Sequence, residues 1–327
     1  MSLPEILSSP LSVPVVASPM FIASGPDLVV AECTAGVIGA FPALNARPAS
    51  LLGDWLDEIT ERCASYADAH PGAIVAPFAV NQIVHRSNDR LEADMATIVE
   101  HKVPIVITSL GARPEINEAV HSYGGIVLHD VINNTFAHKA IEKGADGLIA
   151  VAAGAGGHAG TLSPFALLSE IRAWFDGPLL LSGAIAHGRS VLAAQAAGAD
   201  FAYVGSAFLS TVEANVADDY RQMVVKSGAS DIVYSNLFTG VHGNYLRGSI
   251  EAAGLDPDNL PTSDPSAMSF GSSSGDAKAW RDIWGSGQGI GAIEAAGTVA
   301  ELVARLRSEY LTAREELTAR WSEERVG

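Results

Sequence analysis

PIVITSLGARPEINEAVHSYGGIVLHDV, residues 104–131, holds the pattern that decides the fold. It opens on IVIT, residues 105–108, a continuously apolar and largely β-branched run of the kind found in a strand buried on both faces. An amphipathic stretch of helical length follows. Gly124 closes it, at the point where a left-handed C-terminal cap needs a residue without a Cβ. A second apolar run, 125–131, begins at once. Strand, helix, glycine and strand in so short a stretch make a βαβ unit.

Outward from this unit the same alternation repeats. Apolar runs lie at 13–20, 37–44, 73–80, 104–110, 125–131, 147–152, 178–184 and 201–209, with amphipathic stretches between them. Pro26-Asp27, Asn134-Thr135 and Ser163-Pro164 carry the prolines and capping side chains of helix starts. Gly36, Gly144 and Gly198 repeat the part of Gly124. Eight unbroken units of the α/β class predict a (β/α)8 TIM barrel rather than an open doubly wound sheet.

The pattern changes after the eighth run. Residues 215–227 read as a helix, and 230–276 are rich in Gly, Pro, Ser and Asp, as expected of an inserted segment or lid. Within it PTSDPSAMSFGSSSGD, residues 261–276, has the composition of a flexible linker. Residues 299–321 predict a C-terminal helix with Leu302, Leu306, Tyr310, Leu317 and Trp321 on one face, packed on the barrel or on a partner subunit. The expected organisation is a barrel domain at 1–228, an insertion at 229–298 and a C-terminal helix at 299–327.

Composition narrows the function. Apolar residues are 48% of the 327 and charged residues only 17%, which supports a large core and excludes a disordered chain. A formal charge of −17 would repel a polyanion, so nucleic acid is not an expected partner. No apolar run is long enough to span a membrane, and residues 1–10 lack a basic segment and a signal-like core, so a cytoplasmic location is expected. Cys33 and Cys63 fall in predicted helices and read as free thiols, and no dense ligand cluster predicts a metal site.

Five stretches and Asn81 carry the chemistry. Ser182-Gly183-Ala184 and Val204-Gly205-Ser206 end the seventh and eighth runs, where barrels commonly bind a phosphate through backbone N–H groups at a helix start. AGAGGHAG, residues 153–160, follows the sixth run; its glycines let backbone pass close to a flat ligand and set His158 in the barrel mouth as a general base or anion-binding group. Ser18-Pro19-Met20-Phe21 and Asn81 end the first and third runs at the same rim, Asn81 with an amide donor and acceptor to offer a heterocycle edge. WGSGQGIGAI, residues 284–293, has the glycines of a dinucleotide loop without its strand, and reads as a loop folded over the mouth.

In order and spacing, SPMF, VNQ, GAGGHAG, SGA, YVGSAF and SGQGIG resemble the nitronate monooxygenases, also called 2-nitropropane dioxygenases, over nearly the whole chain. The resemblance implies non-covalent FMN. Asn81 would lie near the ring system, Pro19 and Met20 against it, Gly156 and Gly157 in the loop beside it, and Gly183, Ala184, Gly205 and Ser206 at the phosphate. Gln288 and Gly289 match a late flavin contact, and His158 the catalytic or substrate-binding histidine. Asp130 stands where some relatives place a lysine near the flavin, Val151 where they often carry an amide or acid, and Ala184 where they carry glycine.

The implied reaction is oxidation of an alkyl nitronate, or of a nitroalkane, with O2 to a carbonyl compound and nitrite. Two other readings stay open. The same flavin barrel could pass electrons from NAD(P)H to a quinone or an enoyl thioester, or the fold could be a flavin-free phosphate-binding isomerase, lyase or binding protein. A homodimer stays open as the assembly.

Overall fold

A computed structural model describes residues 3–263 and 283–320, so Trp321 and all but the first three residues of the linker-like segment lie outside the described residues. Nine short strands come first in chain order: β1 (Val15–Ala17), β2 (Gly39–Pro42), β3 (Phe78–Ile83), β4 (Ile105–Ser109), β5 (Ile126–Val131), β6 (Gly147–Val151), β7 (Gly157–His158), β8 (Leu179–Ser182) and β9 (Phe201–Val204). All but β7 form one parallel sheet in the order β2-β3-β4-β5-β6-β8-β9-β1. Its two edges meet where Ala17 N–H donates to Ile38 O at 2.8 Å and Ile38 N–H to Val15 O at 3.3 Å. The sheet is therefore a barrel closed through the residue that precedes β2, as the repeating units predict.

Both faces of the barrel wall are dry. Ile105 and Ile107 of β4 point into the barrel with Ala79, Leu128, Ile149 and Leu180, while Val106 points out against the helices with Val80, Val127 and Leu148. A strand buried on each side has little room for polar residues away from its mouth end, which is why most of each run reads as apolar. The helices α1 (Pro26–Thr34), α2 (Leu51–Ala69), α3 (Leu91–Glu100), α4 (Pro114–His121), α5 (Asn134–Glu142), α6 (Pro164–Arg172) and α7 (Gly188–Ala196) cover the outside. Gly36, Gly124, Gly144 and Gly198 all take positive φ before the next strand.

Several boundaries differ from the sequence reading. The third strand begins at Phe78 rather than at residue 73, because Pro77 has no N–H to give a ladder. The eighth run divides at Gly205 into β9 and a one-turn helix, α8 (Ser206–Leu209), so its last four residues stand at the barrel mouth instead of in its wall. Asn133, one residue earlier than expected, caps α5 by accepting from Phe136 N–H at 2.9 Å.

Beyond α9 (Asp218–Lys226), strands β10 (Ile232–Ser235) and β11 (Gly243–Leu246) pair antiparallel, and β11 pairs in turn with β7. The inserted segment thus clamps the glycine loop that follows β6. Tyr245, fully buried, anchors it with its ring edge-on to Phe238 at 4.9 Å between centroids. After α10 (Arg247–Ala252), the C-terminal helix α11 (Val299–Arg320) lies on α7 and α1. Leu302 and Leu306 are buried and Tyr310 Oη donates to Gln195 Oε1 at 2.6 Å, whereas Leu317, expected on the same face, is 49% exposed. Cys33 and Cys63 are free thiols.

Candidate active site

A cavity of about 1180 Å³ occupies the mouth at the C-terminal ends of the barrel strands. That exceeds the roughly 300–1,000 Å³ of an ordinary small-molecule pocket. Pro19, Met20, Asn81, Gly156, Gly157, His158, Gly183, Ala184, Gly205, Ser206 and Gly289 all line it. Gln288 does not: it is exposed, and its N–H donates to Gly154 O at 2.9 Å.

The glycine motifs hold one another. Gly154 O accepts from Ala184 N–H at 3.1 Å as well as from Gln288. A Cβ on Gly156 would stand 2.8 Å from Gly287 N, one on Gly287 2.7 Å from Gly154 O, and one on Gly289 2.7 Å from the Ala184 carbonyl carbon. The loops after β6 and β8 and the late WGSGQGIG loop therefore pack backbone against backbone, a closeness no other residue type permits. Asn244 of β11 adds a side-chain donor to Ala155 O at 2.6 Å.

Anion-binding capacity concentrates at the start of α8. Among the described residues no acceptor takes the amide N–H of Gly205 or Ser206, and Ser206 Oγ accepts from Gly287 N–H at 2.8 Å. Gly205 leaves just enough room, since a Cβ there would come within 3.3 Å of the Ser18 side chain. Ala184 contributes differently from the reading that its backbone N–H reaches a phosphate, because that N–H is spent on Gly154. Its φ of +55° shows why the position favours glycine.

His158 sits on β7 with Nε2 3.0 Å from Thr239 Oγ1, and Thr239 Oγ1 donates to Val241 O at 3.1 Å. With the hydroxyl proton committed to that carbonyl, Thr239 accepts from Nε2–H, which leaves the lone pair on Nδ1. Burial pushes the imidazole down to about 4, so it is neutral near pH 7. Thr239 was not legible in the sequence, where it lies in an irregular stretch far from His158.

On the barrel floor Asn81 Nδ2 donates to Ile107 O at 3.1 Å and to Ser109 Oγ at 2.7 Å. Both amide hydrogens are used, so Asn81 presents the cavity with an acceptor, Oδ1, rather than the donor and acceptor expected. Ser109 Oγ in turn donates a hydrogen bond to Asp130 Oδ2 at 2.6 Å. Burial holds the Asp130 carboxyl up at about 6 against the opposing bonds from Ser109 and the Leu110 backbone. Tyr203 reaches the same floor from β9, its hydroxyl driven far up by burial and by the nearby Asp130 charge.

The sequence profile of the Nitronate monooxygenase family matches residues 41–309. The chain belongs to the nitronate monooxygenase family. A nitronate monooxygenase of Paraburkholderia phytofirmans is 24% identical over 93% of this chain and 94% of its own length. A Rhodococcus jostii dehydrogenase of a hydroxy-methyl-oxo-octahydroindene carboxyl-CoA is 25% identical over 73% of this chain and 68% of its own. Several other relatives are matched over less than half their length, 40% in one Mycobacterium tuberculosis protein. The nitroalkane oxidase of Streptomyces ansochromogenes shares the fold at a TM-score of 0.77 and 23% identity, covering 93% of this chain and 97% of that one.

Membership makes this nitronate monooxygenase relative an oxidoreductase, of a family that works with flavin. The lining is compatible with such a group: the Gly205 and Ser206 amides and the Ser206 hydroxyl gather at one end of the cavity, and the glycine walls leave depth for a flat ring. No helix of the described residues is long and apolar enough to cross a membrane.

Proposed function

We propose that this protein binds FMN and oxidises alkyl nitronates, and nitroalkanes after deprotonation, to a carbonyl compound and nitrite. The observation that carries the reading is the convergence, on one cavity, of the Gly205 and Ser206 amide cradle with a neutral, oriented His158. Gly205 and Ser206 would hold the phosphate, Pro19, Met20, Gly156 and Gly157 would flank the ring, and Asn81 Oδ1 would accept from its polar edge. Gly183 and Ala184 would wall the phosphate end, with Gln288 and Gly289 closing the loop behind them. The flavin, when bound, supplies electron transfer from the substrate to O2.

The chain's own part is proton handling and exclusion of water. His158 Nδ1, the ring nitrogen left without a proton when Nε2–H donates to Thr239, takes the α-proton of a neutral nitroalkane. A nitronate arrives already deprotonated and needs no base. The WGSGQGIG loop and β10–β11 pack over the glycine loop and keep the histidine from turning.

Anaerobic mixing of the FMN-loaded protein with an alkyl nitronate tests the reading: the flavin band bleaches, and a band that stays unchanged rejects it. A second reading is electron flow between NAD(P)H and a quinone or thioester, and similarity to the Rhodococcus carboxyl-CoA dehydrogenase supports its thioester part. Bleaching by NADH with no response to nitronate selects that one.

A further inference from the structure

Among the described residues that line the cavity, Asp130 is the one carboxyl. The groups assigned to the same space, a phosphate and a nitronate, are anions. An ionised carboxylate would oppose both, and its burial without a cation would be costly. A carboxyl that holds its proton does neither.

The neighbours of Asp130 are arranged for a group that can exist in both forms. From β4, the Ser109 hydroxyl donates a hydrogen bond to Oδ2, and the Leu110 backbone just beyond the strand adds a second donor. The same cavity is lined from β6 by apolar Val151, from β9 by Tyr203, whose hydroxyl feels the Asp130 charge, and from β7 by the neutral His158. Arg47, Lys139 of α5 and Lys143 just beyond it also line the cavity, but Lys143 reaches Ala112 O and acts on His129, and no cation is among the groups that shift Asp130. Behind Ser109 the Asn81 amide is tied at both hydrogens, so the chain Asn81, Ser109, Asp130 has one direction and ends at the cavity.

We propose that Asp130 is the proton-holding group of the flavin floor, a positioning residue that hydrogen-bonds the ring edge when neutral and opposes negative charge on the ring when ionised. This rests on the flavin reading above. Its consequence is that any change making the ring anionic is easier below the titration of Asp130 and harder above it. Burial places that titration near pH 6.

Sulfite provides a test that needs no turnover, because it adds to the ring and leaves it anionic. FMN-loaded wild type and Asp130→Asn are titrated with sulfite from about pH 5 to about pH 8, following the visible flavin band. Taking the ratio of the two dissociation constants removes the ionisation of sulfite itself. The ratio, wild type over variant, is expected to stand near one at the acid end and to rise about tenfold or more at the alkaline end. A ratio independent of pH overturns the proposal while leaving the flavin reading intact; protein that takes up no FMN overturns both.

Ser109→Ala provides the second measurement. It removes a donor that favours the anion, so the pH at which wild-type sulfite affinity breaks should move upward in this variant. An unmoved break overturns the proposal even if Asp130→Asn does not fold.

Discussion

The imidazole Nε2 of His158 lies 3.0 Å from the Thr239 hydroxyl although 81 positions of chain separate them. A two-residue strand presents the histidine, and the inserted segment supplies both its pairing strand and the group that sets its tautomer. The insertion after the barrel is thus part of the site rather than an appendage to it.

Thr239→Val keeps the shape and removes the acceptor for Nε2–H. Turnover of a neutral nitroalkane should fall by about 10–100-fold, the usual cost of losing a group that orients another. Thr239→Ser should restore it, and FMN content should not change. Steady-state kinetics beside flavin quantification separate loss of orientation from loss of cofactor.

His158→Asn distinguishes the two substrate forms. If Nδ1 removes the α-proton, kcat/KM with a nitroalkane drops about 10²–10⁴-fold, while a preformed nitronate loses less than about tenfold. Equal losses on both substrates would reject the base role.

Gly289→Ala would place a methyl 2.7 Å from the Ala184 carbonyl carbon, with backbone on both sides of the clash. The late loop must then lift off the cradle. FMN affinity, measured by quenching of flavin fluorescence, should weaken by about tenfold, roughly 1.4 kcal/mol. Ala184→Gly works in the opposite direction, relieving a positive φ worth about 1–2 kcal/mol, and should raise the melting temperature of the apoprotein.

His129 gives a pH prediction. It is buried with Nδ1 2.6 Å from Thr108 Oγ1, and burial, assisted by Lys143, depresses it to about 4. Because the folded value lies below the unfolded one of about 6.5, the unfolded chain takes the extra proton as the pH falls. Wild type should therefore lose stability relative to His129→Gln by about 1.4 kcal/mol per pH unit between about pH 6.5 and pH 4, with no relative change above that window. Urea unfolding of the two apoproteins across the window checks the sign and the slope.

Much of this was legible in advance where local chemistry dictates the outcome. IVIT reads as a buried strand because three of its four side chains are apolar and β-branched, and Gly124 had to end a helix because of the backbone it must adopt. Where two nearby signals compete, the tertiary structure arbitrated: residues 73–76 are as apolar as a strand, but Pro77 keeps them out of the ladder. Asn81 was found at the rim, yet whether it offers a donor depended on Ile107 and Ser109 of the next strand.

The sequence by itself determined the barrel, the rim positions and the places where backbone had to come close, because periodicity, turn residues and missing Cβ atoms act within a few residues of one another. Only the tertiary structure decided which groups those positions meet. It committed the Ala184 amide to Gly154, set Thr239 behind His158, and left Asp130 with no paired cation among the described residues on a floor built from β1, β3, β4, β5 and β9. Hydrogen-bond partners and electrostatic surroundings depend on distances between segments far apart in the chain, and those distances exist only once the barrel has closed.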